Sequence, residues 1–195
     1  MLLGSYAVGS IVGAYYLVRW RLGRDLRELG SGNAGARNAG RVLGPRGFAL
    51  ALLADAGKGA LVTWVAFRLA PDSWVAPAAL VAVVVGHVWP IHLRFRGGKG
   101  AATALGIMLV YDPIATTMLV AVLAVVLAAT RRFTLSGLVA IVLAPIVVAM
   151  RGGPLVDVAA LSINALLILY AHRANLGAYR PGGELSPTKH QEAIP

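Results

Sequence analysis

Four short segments of this chain hold more glycine, hydroxyl, amide and cation than a plain connection between apolar stretches needs. The sharpest is 86–103, where Gly97, Gly98, Lys99 and Gly100 lead into an apolar stretch that carries Thr103. Glycines let backbone amides approach an anion, a helix starting there aims its dipole at the same point, and the lysine adds a full charge. Phosphate binding is the chemistry that suits such a loop. It is not a nucleotide-hydrolysing loop, because Gly100 stands where a Ser or Thr would follow the lysine and no strand leads in. His87 and His92 flank the loop, and an interfacial position would account for either.

The segment 25–41 offers Ser31, Asn33, Asn38 and Arg41, a hydroxyl, two amides and a guanidinium on one glycine-rich stretch, with a helix expected to begin near Gly35. Gly30, Gly32 and Gly35 fall at dinucleotide-fingerprint spacing, but with no βαβ unit available the match is accidental. In 130–136, Ser136 and its neighbouring hydroxyls open an apolar stretch, where they also serve as ordinary caps. His172 and Asn175 put a titratable imidazole and an amide three residues apart, on one helical face if the last apolar stretch continues that far. Asp55 and Lys58, three apart inside an apolar stretch, are expected to pair in an architectural role, because isolated charges are expensive in lipid.

The elements that must hold these residues are written in the composition. Of 195 residues, 58% are hydrophobic and 13% charged, more apolar material than a soluble domain of this size buries. Six stretches, 2–18, 48–69, 74–92, 113–130, 133–150 and 154–171, approach the ~20 residues of a spanning helix. A seventh, 100–111, is short and reads as a half-span or re-entrant element. The runs are too long and too uniformly apolar for barrel strands. The expected fold is all-α, a polytopic membrane helix bundle of about seven transmembrane helices in one domain over 1–180, with 181–195 a short, disordered cytoplasmic tail. The first span is expected to be retained rather than cleaved. With no cysteine, disulfides, thiolate metal sites and a cysteine nucleophile are all excluded.

Basic residues cluster in 19–46, 94–99, 131–132 and after His172, and the positive-inside rule makes those segments cytoplasmic. Seven crossings then put the N-terminus outside and the C-terminus in the cytoplasm. A net charge of +10 raises nucleic acid as a partner, but the charges lie in short loops beside spans, where they set topology and touch anionic lipid. All four polar clusters consequently face the cytoplasm.

Taken in order, Gly30-Ser-Gly-Asn-Ala-Gly-Ala36 with Asn38 and Arg41, Asp55 with Lys58-Gly59, Gly86-His-Val-Trp-Pro90 through Gly97-Gly-Lys-Gly-Ala-Ala-Thr103, Leu135-Ser136 and His172-Arg-Ala-Asn175 resemble the bacterial integral-membrane acyl-phosphate:glycerol-3-phosphate acyltransferases. The resemblance runs through nearly the whole chain. It implies transfer of a fatty acyl group from acyl phosphate to glycerol 3-phosphate, giving lysophosphatidic acid in phospholipid biosynthesis, at a cell-membrane site open to the cytoplasm. It gives catalytic roles to Ser31, Arg41, His172 and Asn175. Asn33, Asn38, Gly97, Gly98, Lys99, Gly100, Thr103 and Ser136 are the expected substrate- and phosphate-binding residues. The partners expected are the two substrates and membrane lipid, with no nucleic acid, metal or cofactor. Three departures bear on affinity, acyl preference or a diverged substrate: Arg37 replaces the usual Thr, Gly137 a common second Ser, and Ala178-Tyr179 an Arg-Leu.

Acyl phosphate carries its own leaving group, so positioning and charge stabilisation should dominate, with cations and amides holding two phosphates together. Either His172 or a substrate phosphate oxygen takes the acceptor proton. Acyltransferases with a His-x-x-x-x-Asp dyad are disfavoured, since no histidine has an aspartate at that spacing, and CDP-alcohol phosphotransferases need an aspartate cluster that eight dispersed acidic residues do not form. The alternative of another class is a carrier or binding protein for a phosphorylated solute or lipid. It would need polar groups through the midplane, where the stretches after residue 113 hold little besides Asn164.

Overall fold

The computed structural model describes residues 1–71 and 73–177. The expected tail, 181–195, lies outside them, as do the last residues of the expected 1–180 domain, among them Ala178 and Tyr179. The described residues are helical, with α1 (Leu2–Ser10), α2 (Gly13–Leu22), α3 (Ala36–Leu69), α4 (Val75–Val88), α5 (Ala101–Tyr111), α6 (Pro113–Thr130), α7 (Phe133–Met150), α8 (Leu155–Ala171) and the short α9 (Arg173–Gly177). Single 3-10 turns stand at Leu26–Glu28 and Ile91–Leu93. Among the described residues, four segments are long and apolar enough to cross a membrane: Ala36–Leu69, Val75–Leu93, Pro113–Thr130 and Phe133–Met150.

Helix α5, with 11 residues, is the short element expected at 100–111. Other elements differ from expectation. The stretch 154–171 yields α8 of 17 residues, short for a span. Helix α3 starts well before residue 48, because the helix expected near Gly35 runs into the apolar one across a kink. Gly44 takes φ 74° and ψ −170°, and Pro45 follows it.

The stretch 2–18 is broken. Ile11 and Val12 are extended, separating α1 from α2. Carbonyls freed by a break in hydrocarbon each cost several kcal/mol unless satisfied. Lys58 on α3 satisfies them, its Nζ donating to the Gly9 and Ile11 carbonyls at 2.8 and 2.7 Å. Asp55 completes the clamp: it lies 3.0 Å from Lys58 Nζ and accepts the Gly13 amide at 2.9 Å, so both sides of the break are held. The ion pair expected from the sequence is therefore present, and its architectural task is to secure a broken helix.

Close helix approach fixes the rest. A methyl at Gly9 would strike the Val83 carbonyl, and one at Gly86 the Tyr6 carbonyl, so α1 and α4 pack backbone to backbone. Gly59 and Gly106 do the same between α3 and α5. Helix α4 also packs on α8, and α6, α7 and α8 follow in sequence. Leu80, Val83, Val84, Ile107 and Ile168 form the centre of the core.

Candidate active site

The first polar segment folds around Asn38. This side chain is buried at the start of α3, donating from Nδ2 to the carbonyls of Leu26 (3.1 Å) and Leu29 (2.8 Å) while its Oδ1 accepts the Ser31 amide at 2.8 Å. An asparagine whose hydrogen-bonding groups are all engaged within the protein is a clasp. It holds Ser31 at the rim of a cavity that Asn33 and Arg41, the latter one turn along α3, also line.

The second segment is anchored differently from expectation. The Gly97 and Gly98 amides donate to the Val88 and His87 carbonyls at 3.1 and 3.0 Å, so they are not turned toward a ligand. Neither glycine lines the cavity; a methyl at Gly98 would strike the His87 ring instead. The glycines serve close packing, and what the loop presents to the cavity is Lys99 and Gly100. Gly100, with φ 84°, makes the left-handed turn from which α5 begins. Thr103 is fully buried behind it, its hydroxyl without a hydrogen-bond partner, and does not line the cavity. Ser136 is likewise buried off the cavity, its Oγ donating to the Arg132 carbonyl at 3.0 Å, one turn back.

The fourth segment closes the site. Asn175 accepts a short hydrogen bond from Lys99 Nζ, tying the loop before α5 to α9, just beyond α8. His172 Nδ1 lies 2.8 Å from the Ile168 carbonyl. A carbonyl only accepts, so Nδ1 carries the proton and Nε2 keeps its lone pair. Burial, with the charges of Lys99 and Arg37 adding, holds His172 below its ordinary pKa despite that hydrogen bond. Neutral imidazole is then the form present near pH 7. Burial also lowers Lys99, and Arg37 and Arg41 push in the same direction. An arriving anion would relieve that crowding.

Ser31, Asn33, Asn38, Arg41, Lys99, Gly100, His172 and Asn175 thus meet around one cavity of about 500 Å³, within the usual range for ligand sites. Most of the remaining wall is apolar, from Phe48 and Leu52 of α3, Leu105 and Met108 of α5, Leu119 and Leu123 of α6, and Leu138 and Ile141 of α7, with Arg37, Asp55, His87, Thr116, Thr134 and Asn164 as its polar members. A polar mouth with several cations and an apolar arm fits an amphipathic anion.

Two features escaped sequence reasoning. Arg37 and Thr134 line the cavity, and Arg37 Nη1 makes a short hydrogen bond to Thr134 Oγ1. Nothing in the spacing of residues 37 and 134 signals this contact. His87 is buried, its Nδ1 2.7 Å from Lys58 Nζ and 3.5 Å from Asp55 Oδ1, whereas an interfacial position suits only the exposed His92, which meets the Tyr16 hydroxyl at 2.9 Å. The apolar run leading up to His87 was the available signal.

A family model described as glycerol-3-phosphate acyltransferase matches residues 1–182. The glycerol-3-phosphate acyltransferase 1 of Desulfitobacterium hafniense (strain Y51) is 47% identical over 177 residues, covering 90% of this chain and 87% of that protein. The glycerol-3-phosphate acyltransferase of Rubrobacter xylanophilus (strain DSM 9941) is 37% identical over 182 residues, covering 93% and 88%. Among solved structures, the crystal structure of PlsY, an integral membrane glycerol 3-phosphate acyltransferase, in its glycerol 3-phosphate form superposes with a TM-score of 0.86 at 31% identity, covering 91% of this chain and 88% of that one. Its lysophosphatidic acid form gives a TM-score of 0.83 at 30% identity.

Proposed function

The chain belongs to the glycerol-3-phosphate acyltransferase family, and from that premise we propose that it moves a fatty acyl group from acyl phosphate to glycerol 3-phosphate at the cytoplasmic face of the cell membrane. It is an acyltransferase that acylates glycerol 3-phosphate. The carrier reading gives way to the enzyme. The observation that carries the choice of donor is the cavity itself, in which Arg41, Lys99 and amide-bearing side chains stand beside an apolar arm walled by α5, α6 and α7. An acyl phosphate has the matching halves: a chain for the arm and an anionic head for the cationic mouth, where Arg41 meets the acyl group and Lys99 is left for the phosphate of the acceptor.

In the proposed reaction the acceptor's terminal hydroxyl oxygen attacks the acyl carbonyl carbon. The bond from that carbon to the phosphate oxygen breaks, and phosphate leaves with the electron pair. The hydroxyl proton passes to His172 Nε2, whose neutral tautomer is set by the hydrogen bond of Nδ1 to Ile168. Lys99, oriented by Asn175, holds the acceptor phosphate, and Ser31 and Arg41 steady the charge that develops at the carbonyl. Because the leaving group is already good, these residues contribute mainly orientation and charge neutralisation.

The purified protein should form lysophosphatidic acid from acyl phosphate and labelled glycerol 3-phosphate and release one phosphate per turnover. Formation of product from acyl-CoA but not from acyl phosphate would overturn the donor assignment while leaving the family activity intact.

A further inference from the structure

Among the described residues, Arg37 is a cavity-lining cation to which the proposed acyl transfer gives no task. Arg37 sits one turn before Arg41 on α3, so both guanidinium groups reach the same space. It is fixed to a different wall from Lys99: Nη1 donates to Thr134 Oγ1, and its guanidinium carbon lies 5.6 Å from the Phe133 ring centre, both at the start of α7. Lys99 is tied instead to Asn175 beyond α8. Among the described residues no carboxylate pairs with Arg37. A guanidinium has five N–H donors in a planar fork, and Thr134 engages one of them. The remainder, over an aromatic ring at the mouth of an apolar arm, are arranged as a phosphate fork would be.

We infer that Arg37 is a binding residue for the phosphate of the acyl donor. The inference rests on the acyl phosphate reading and extends it to a residue-level division of labour between the two substrates. The donor's phosphate is attached to the first carbon of its chain. A chain lying along α7 in the arm lined by Gly137, Leu138 and Ile141 therefore brings that phosphate to the mouth, where Phe133, Thr134 and Arg37 stand. Glycerol 3-phosphate has no chain to hold it there, and its phosphate goes to Lys99. Arg37 and Lys99 thus keep two mutually repelling anions on separate anchors, each with its own cation. Arg37 also makes a donor headed by phosphate preferable to one headed by a neutral thioester.

Arg37 is exposed at the rim, so its replacement leaves the bundle's core untouched. Steady-state kinetics of the whole enzyme with acyl phosphate and glycerol 3-phosphate should show Arg37→Gln raising KM for acyl phosphate about tenfold or more, the usual loss when a charged hydrogen bond is removed, with KM for glycerol 3-phosphate held within about twofold. Arg37→Lys should fall between. Inorganic phosphate, competing with acyl phosphate, should inhibit Arg37→Gln correspondingly less. The acid limb of the rate profile should move to higher pH in Arg37→Gln, because one of the two cations that lower His172 is gone and Lys99 remains. A KM for glycerol 3-phosphate that rises as far as that for the donor, or no change in either, would overturn the assignment. So would a Thr134→Val variant that reproduces the whole donor defect, since the cation is retained there and only its tie to α7 is lost. An unaltered enzyme inactive with acyl phosphate would overturn the donor reading first, and this inference with it.

Discussion

His172 is where residue chemistry meets an observable. Its Nδ1 proton is committed to the Ile168 carbonyl and its pKa is lowered, chiefly by burial. The basic form is lost only as pH falls through that lowered pKa. Activity should therefore persist through neutral pH and decline on an acid limb centred below the ~6.5 of a free imidazole. His172→Ala should cut turnover by roughly 100-fold and abolish that limb, with little change in KM for either substrate. A limb that survives in a folded His172→Ala enzyme would transfer the proton to a substrate phosphate. The histidine, Asn175, Lys99 and the Ser31–Arg41 segment were legible in the sequence because each cluster is local: polar residues crowd a few positions between apolar runs. Gly97, Gly98, Thr103 and Ser136 show where such reasoning ends. Proximity to Lys99 says nothing about which way an amide points, and here the two glycine amides turn toward α4. A hydroxyl at a helix start is equally able to bond its own backbone, as Ser136 does.

Among the elements, the length and apolarity of α6 and α7 were plain, because an unbroken apolar run has one stable form in lipid. The division of 2–18 into α1 and α2 was hidden, since the groups that make it possible are supplied from α3, some 40 positions away. The presence of Asp55 and Lys58 announced a buried pair but not its partners. Lys58→Ala should strand the Asp55 carboxylate and two carbonyls together, and unfolding measurements in detergent should show a loss of about 3–5 kcal/mol. Asp55→Ala in the same chain should cost less than the sum of the single changes, because the two side chains serve one clamp. An unchanged unfolding midpoint for Lys58→Ala would refute the clamp.

For the molecule as a whole, the cavity mouth is built from the N-terminal ends of α3, α5 and α7 and the C-terminal end of α8, so those helix ends share one side. The basic segments 19–46, 94–99 and 131–132 adjoin the same ends. Asp112 and Arg151, 2.7 Å apart, belong to the α5–α6 connection and the end of α7. Reporter tags inserted after Arg24 and at the C-terminus should both read cytoplasmic, and a tag near Arg151 should read external. A C-terminal tag outside the cell would reverse the proposed orientation.

The clamp on the broken helix also imposes an order on how the protein is made. In a chain threaded into the bilayer from its N-terminus, residues 2–22 precede Lys58, so until α3 packs beside them the carbonyls of Gly9 and Ile11 lack the donor that sustains the break between α1 and α2. Neither piece approaches the ~20 residues that hold a helix across the membrane by itself. The broken form of the N-terminal segment is secured only when α3 arrives and reaches back, so the folded shape of residues 2–22 waits on the middle of the chain.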